Sequence, residues 1–136
     1  MRIAFLMDSL ESINPVNETT SHLMYECNQR GHTVYFLEPH DVYIRKDEVV
    51  ARMRNISVQV DLSMKKYWRS LISCTKKDEL IFETITDLDA LFLRKDPPLI
   101  YQTMEFLAPV NDQMFMINST TGQVLGNSKL YTLNFP

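Results

Sequence analysis

Residues 2–7, RIAFLM, form a nearly continuous apolar run that halts at Asp8. A run without polar alternation is how a strand buried on both faces of a parallel sheet reads. After a polar loop carrying Asn14 and Pro15, Thr20, Leu23, Met24 and Cys27 recur at helical spacing, with Asn17 or Thr19 available as N-cap and Gly31 placed to end the helix. Residues 33–38, TVYFLE, then read as a β-branched and aromatic strand stopped by Pro39. The chain therefore opens as β-α-β, and a crossover of that length makes the two strands parallel.

From residue 42 to 61 the pattern becomes VYIRKDEVVARMRNISVQVD, alternating around the turn-like pair Lys46 and Asp47. That is an antiparallel hairpin or meander, inserted at the edge of the parallel core. In residues 64–79, Tyr67, Trp68, Leu71 and Ile72 suit one face of a short helix. A third buried strand follows at 89–94 (DALFLR), then a helix at 99–108 with Ile100, Met104 and Leu107 on one side. A fourth strand, QMFMIN, ends at Asn118, and residues 129–135 (KLYTLNF) read as a helix start. This order predicts an α/β fold: an open, mainly parallel sheet flanked by helices, with an inserted antiparallel hairpin. Ligands of such sheets collect outside the carboxyl ends of the strands, near the point where strand order reverses. Here those ends carry Asp8, Glu38, Arg94 and Asn118.

Composition removes several function classes. A length of 136 residues allows one domain with a real core, and the net charge of -3 lacks the basic excess of a nucleic-acid binder. Lys76 and Lys77 form only a small cluster that reads as a solvated face. No apolar run approaches the ~20 residues of a membrane helix, and too few apolar residues precede Asp8 for a signal peptide. The expectation is a cytoplasmic protein without nucleic-acid or membrane partners. Cys27 and Cys74 form no CxxC pair and read as reduced, mostly buried thiols. His22, His32 and His40 have no metal-ligand spacing and read as surface residues. The eight methionines read as core.

Two nucleotide-binding motifs fail on their own residues. MDSLESIN, after the first strand, contains no glycine, and a dinucleotide site needs glycine there to bring backbone close to a pyrophosphate. GQVLGNSK has Gly122 and Gly126 at the wrong separation for a phosphate loop, and its lysine follows the serine. Asp8 reads equally as a turn former or a functional carboxylate. LFLRKDPP, residues 91–98, points more firmly to a site. Arg94 emerges where a buried strand ends, and its planar fork can grip a substrate carboxylate bidentately. Asp96 is placed to hold that guanidinium, and Pro97 pushes its backbone toward an extended conformation. Pro97 and Pro98 stiffen the exit, with a cis bond open to one of them.

MDSLESIN, RGHTVYFLEPHDVY and above all Arg94-Lys95-Asp96-Pro97-Pro98 resemble, in order and spacing, the N-terminal region of the prokaryotic glutathione synthetase family. The first block is similar to that family's Met-Asp-x-Ile-x-x-Ile-Asn, with Leu10 for the first Ile. The second is similar to its Arg-Gly-His/Tyr and Glu-Pro-x-Asp-Leu-Tyr, with Val42 for Leu. Toward the C-terminus Asn118, Asn127, Lys129 and Leu130 match the family pattern. Thr120, Val124, Leu125 and Ser128 depart from it, as do Leu99 and Ile100, which leaves an altered substrate or a diverged paralogue open.

The resemblance implies a Rossmann-like pre-ATP-grasp domain over residues 1–118, then a linker over 119–136 leading toward an ATP-grasp domain supplied in cis or in trans. The complete enzyme would join γ-glutamylcysteine to glycine with ATP and magnesium. No cofactor is expected in this piece, which would be inactive in isolation. Arg94, with Asp96, Asp8 and Asn14, falls on the peptide-substrate side, and Lys129 corresponds to a lysine beside the nucleotide. Self-association is also implied. The alternative is a non-catalytic binding or interaction module derived from the same family.

Overall fold

The computed structural model describes residues 1–58, 63–76 and 79–135. Its strands are β1 (Arg2–Leu6), β2 (Thr33–Leu37), β3 (Val42–Arg45), β4 (Glu48–Asn55), β5 (Leu80–Thr84), β6 (Ala90–Leu93) and β7 (Phe115–Ile117). The helices are α1 (Thr19–Gln29), α2 (Met64–Thr75), α3 (Tyr101–Leu107) and α4 (Thr120–Gly126). Parallel pairing joins β2 to β1, β1 to β6 and β6 to β7, and this four-stranded core is the one the apolar runs predict. β3 and β4 form the inserted hairpin, paired from Val42↔Ala51 to Arg45↔Glu48 around Lys46 and Asp47. Lys46 takes a positive φ of 56° there, as a two-residue hairpin turn requires. The last residues of β4 reach β2 antiparallel, and β5 lines the opposite edge of β4. The architecture is thus an open α/β sheet, parallel at its centre and extended by antiparallel strands.

β1, β2 and β6 contribute alternate side chains to two cores. Ile3, Phe5, Met7, Val34, Phe36 and Ala90 lie under α1 and α2, against Met24, Tyr67, Trp68 and Leu71. Phe5 stacks on Phe92 across that face with ring centroids 4.8 Å apart. Ala4, Leu6, Tyr35, Leu37, Leu91 and Leu93 lie on the other face, against Met104 and Leu107 of α3. Among the described residues no helix is long and apolar enough to cross a membrane.

Several local expectations change. The N-cap of α1 is Glu18, not Asn17 or Thr19: its carboxylate accepts the Thr20 N–H at 3.3 Å. Gly31 does end the helix, at φ +73°, with the His32 N–H returning to the Cys27 carbonyl. The buried stripe of α1 is Thr20, Ser21, Met24 and Asn28, while Leu23 and Cys27 are only half-buried. Both thiols, Cys27 and Cys74, are free and half-buried rather than mostly buried. Ile100 is exposed at the start of α3, and Leu99 takes the core position instead. β5 and α4 have no counterpart in the sequence reading, and the helix start expected at 129–135 is a 3-10 helix, Lys129–Asn134. Lys76 is exposed and pairs with Glu11 at 3.1 Å. The hairpin expectation over 59–61 and the helix and charge expectations at 77–78 lie outside the described residues.

Candidate functional site

Strand order reverses between β1 and β6. From β1 the chain crosses through α1 on one face to β2; from β6 it crosses through α3 on the other face to β7. Helices that diverge to opposite faces leave a crevice at the carboxyl ends of the two strands between them. Asp8 and residues 94–96 stand at that crevice.

The ladder delivers Arg94 there. Leu6 pairs with Leu93, and the Arg94 N–H donates to the Leu6 carbonyl at 2.8 Å, extending the β1–β6 pairing by one residue. The period of two places Arg94 on the face of Ala90 and Phe92, beneath α1. A helix that returns along the sheet brings its N-terminus back to the carboxyl ends of the strands, so Thr20 meets the guanidinium. Arg94 Nε donates to Thr20 Oγ1 at 3.0 Å. Thr20 Oγ1 in turn donates to Glu18 Oε1 at 2.8 Å.

Lys95 has the opposite parity and turns toward Asp8. Its Nζ lies 3.0 Å from Asp8 Oδ1, with the lysine side chain 11% exposed and the aspartate 36%. The second oxygen, Asp8 Oδ2, accepts the Asp96 N–H at 3.2 Å. Lys95 Nζ also donates to the Asp96 carbonyl. One carboxylate therefore fastens the exit of β6 through a side chain and a backbone amide at once. The Pro97–Pro98 peptide, just beyond, is cis.

Of the residues singled out in the sequence, the structure joins Asp8 to the 94–96 segment by these bonds. It corrects the role expected of Asp96. Among the described residues the Arg94 side chain bonds Thr20, not Asp96, because the start of α1 already occupies that side of the guanidinium. The Asp96 backbone is fixed by Asp8 and leaves the sheet at Pro97, so its side chain is exposed. Asn14 is exposed in the β1–α1 loop, and its side-chain oxygen is taken by its own turn, accepting the Val16 N–H at 3.3 Å. Lys129 is exposed on the terminal 3-10 turn, a different element.

Glu38, at the end of β2, is drawn into a capping box with Asp41, which fills its bonds locally. Asp41 is buried and receives Arg52 Nη2 at 2.6 Å and Arg52 Nε at 2.7 Å. That carboxylate, by hydrogen bond first and charge second, pushes the Arg52 guanidinium up from its ordinary value. Asn118 is exposed.

Sequence reasoning missed Thr20 and Lys95. Helical spacing reads Thr20 only as one member of a face and carries no signal for what its hydroxyl bonds. The RKDPP motif by itself gives Lys95 no role, yet the β1–β6 register continued two residues past Leu6↔Leu93 sets it opposite Asp8. A separate apolar groove of about 300 Å3 lies between α3 and α4, lined by Tyr101, Met104, Ala108, Val124 and Leu125 among others. It shares no residue with the Asp8–Arg94 group.

Comparison with known proteins identifies the family. Residues 1–122 match the model of the prokaryotic glutathione synthetase N-terminal domain. The chain is 30% identical over 140 residues to the glutathione synthetase of Buchnera aphidicola subsp. Acyrthosiphon pisum, covering all of this chain and 41% of that protein. It is 28% identical over 141 residues to the glutathione synthetase of a Synechocystis species, covering 99% of this chain and 43% of the relative. Against the Coxiella burnetii glutathione synthetase the identity is 29% over 140 residues, with 100% and 41% covered. The chain thus spans about two fifths of the length of these relatives. Because that family model spans residues 1–122 of the 136, the chain belongs to the family of prokaryotic glutathione synthetase N-terminal domains.

Proposed function

We propose that this chain supplies the peptide-substrate side of a glutathione-forming ligase, with Arg94 gripping a carboxylate of γ-glutamylcysteine. The observation that carries this reading is the fastening of the β6 exit by Asp8, which presents Arg94 at the switch point of the sheet. A guanidinium offers a rigid fork of donors that suits a carboxylate. Fixing one end of the peptide there lowers the entropic part of the barrier to the later bond-forming step.

In the complete ligase ATP, with magnesium, would convert the peptide carboxylate to an acyl phosphate, releasing ADP. The glycine amine would then attack the acyl carbon and expel phosphate. The reading leaves nucleotide chemistry to an ATP-grasp domain, acting in cis or in trans, with Lys129 on the nucleotide side and a cytoplasmic setting. By itself the 136-residue chain is expected to hydrolyse no ATP and form no peptide bond.

Titration calorimetry with γ-glutamylcysteine tests the assignment. Arg94→Ala is expected to weaken binding by about tenfold or more, the loss of a charge-assisted contact. Equal affinity in the variant and the parent chain overturns it.

A further inference from the structure

We propose that Thr20, held by Glu18, is the positioning residue that orients the Arg94 guanidinium and thereby sets the chain's selectivity for a carboxylate at this site; the inference rests on the reading of Arg94 above. Thr20 is 1% exposed, so its hydroxyl is a buried polar group whose partners must be accounted for. Capping does not account for it, because the cap of α1 is the Glu18 carboxylate accepting the Thr20 N–H.

The direction of both hydroxyl bonds is fixed by chemistry. An ionised Glu18 can only accept, so the Thr20 O–H donates to Oε1 at 2.8 Å. An arginine Nε can only donate, so the same oxygen receives Arg94 at 3.0 Å through its lone pair. The hydroxyl rotor has one orientation that satisfies both. Nε is the inner position of the guanidinium. Holding it fixes the plane of the fork and leaves the two terminal nitrogens, which have no protein partner among the described residues, as a pair of donors for a planar two-oxygen ligand. Glu18 is linked to the guanidinium through the Thr20 hydroxyl, which it holds in the orientation that presents a lone pair to Nε. A spherical anion gains nothing from that fixed plane, whereas a carboxylate does.

Thr20→Val keeps the shape and branching of the side chain and removes the hydroxyl; Thr20→Ser keeps the hydroxyl and removes a methyl. With γ-glutamylcysteine as the probe, Thr20→Val is expected to bind about tenfold more weakly while Thr20→Ser stays within about twofold of the parent chain, the scale of one charged hydrogen bond. The Arg94 Nε–H, followed by nitrogen-15 NMR, is expected to exchange slowly with water in the parent chain and in Thr20→Ser, and fast in Thr20→Val. Packing alone would not produce that pattern. Should Thr20→Val fail to fold, Thr20→Ala carries the same comparison. If Thr20→Val binds as tightly as the parent chain while Arg94→Ala does not, the Thr20 assignment falls and the Arg94 reading stands. No saturable binding by the parent chain, or equal binding by Arg94→Ala, overturns the Arg94 reading; Nε–H exchange insensitive to Thr20→Val then also overturns the orienting role.

Discussion

Asp41 shows how much a single buried carboxylate can organise. Its side chain is 1% exposed, yet it accepts the Glu38 N–H at 3.0 Å and two nitrogens of Arg52, with Arg54 Nη1 at 3.8 Å from its Oδ2. A buried ion pair gives little net stability against an apolar replacement, but removing one partner strands the others. Asp41→Ala is therefore expected to lower the free energy of unfolding by about 3 kcal/mol, read as a reduced urea midpoint with an unchanged slope. Part of this residue scale is legible in the sequence. Arg94 could be found because an apolar run ends on it, and Asp8 for the same reason. Thr20 could not, because helical periodicity records which side chains are buried and not what a buried hydroxyl bonds. Asp96 misled for a related reason: adjacency to Arg94 in sequence does not survive the turn at Pro97.

At the scale of elements, Asn28 and Tyr67 join α1 to α2. Asn28 Nδ2 donates to Tyr67 Oη at 2.9 Å and to the Met24 carbonyl at 3.1 Å, and its Oδ1 accepts the Val58 N–H at 2.8 Å. Burial, the dominant cause, pushes the Tyr67 hydroxyl well above the ordinary tyrosine value, and the Asn28 bond offsets this only in part. A group with a raised folded pKa binds its proton more tightly when folded. Its stabilisation is full below the unfolded value of about 10 and is lost as pH rises from there toward the folded value. Urea midpoints should thus fall between about pH 10 and pH 11 in the parent chain, and fall less in Tyr67→Phe, which at pH 7 is weaker by about 1 kcal/mol. Equal alkaline slopes in the two proteins would exclude Tyr67 as the source. The elements missed from the sequence are those whose reasons lie elsewhere in the chain. β5, LIFET, has no fully buried residue, only Ile81 packing on the core, and is a strand because β4 offers it an edge. α4, TTGQVLG, carries two glycines and forms on borrowed contacts: Ser119 Oγ accepts the Gly122 N–H at 3.0 Å and Asn111 Oδ1 accepts the Thr120 N–H at 3.0 Å.

For the whole molecule, two cores share one sheet, and neither face can be lost without exposing the strands of the other. Unfolding is expected to be a single cooperative transition. Trp68, the single tryptophan, reports from under α2, where its Nε1 donates to the Leu10 carbonyl at 3.2 Å. Its fluorescence and the far-ultraviolet circular dichroism should give coincident thermal midpoints; separated midpoints would mean that the two faces melt independently. At this scale the sequence was most informative, because four strand ends and two crossovers define the switch point whatever decorates the edges. One small contact at the far end bears on that point. Gln123 Nε2, on α4, donates to the Leu93 carbonyl at 3.0 Å. That carbonyl belongs to the peptide that leads into Arg94. A displacement of α4 would therefore be felt, through a single amide, by the peptide that carries Arg94.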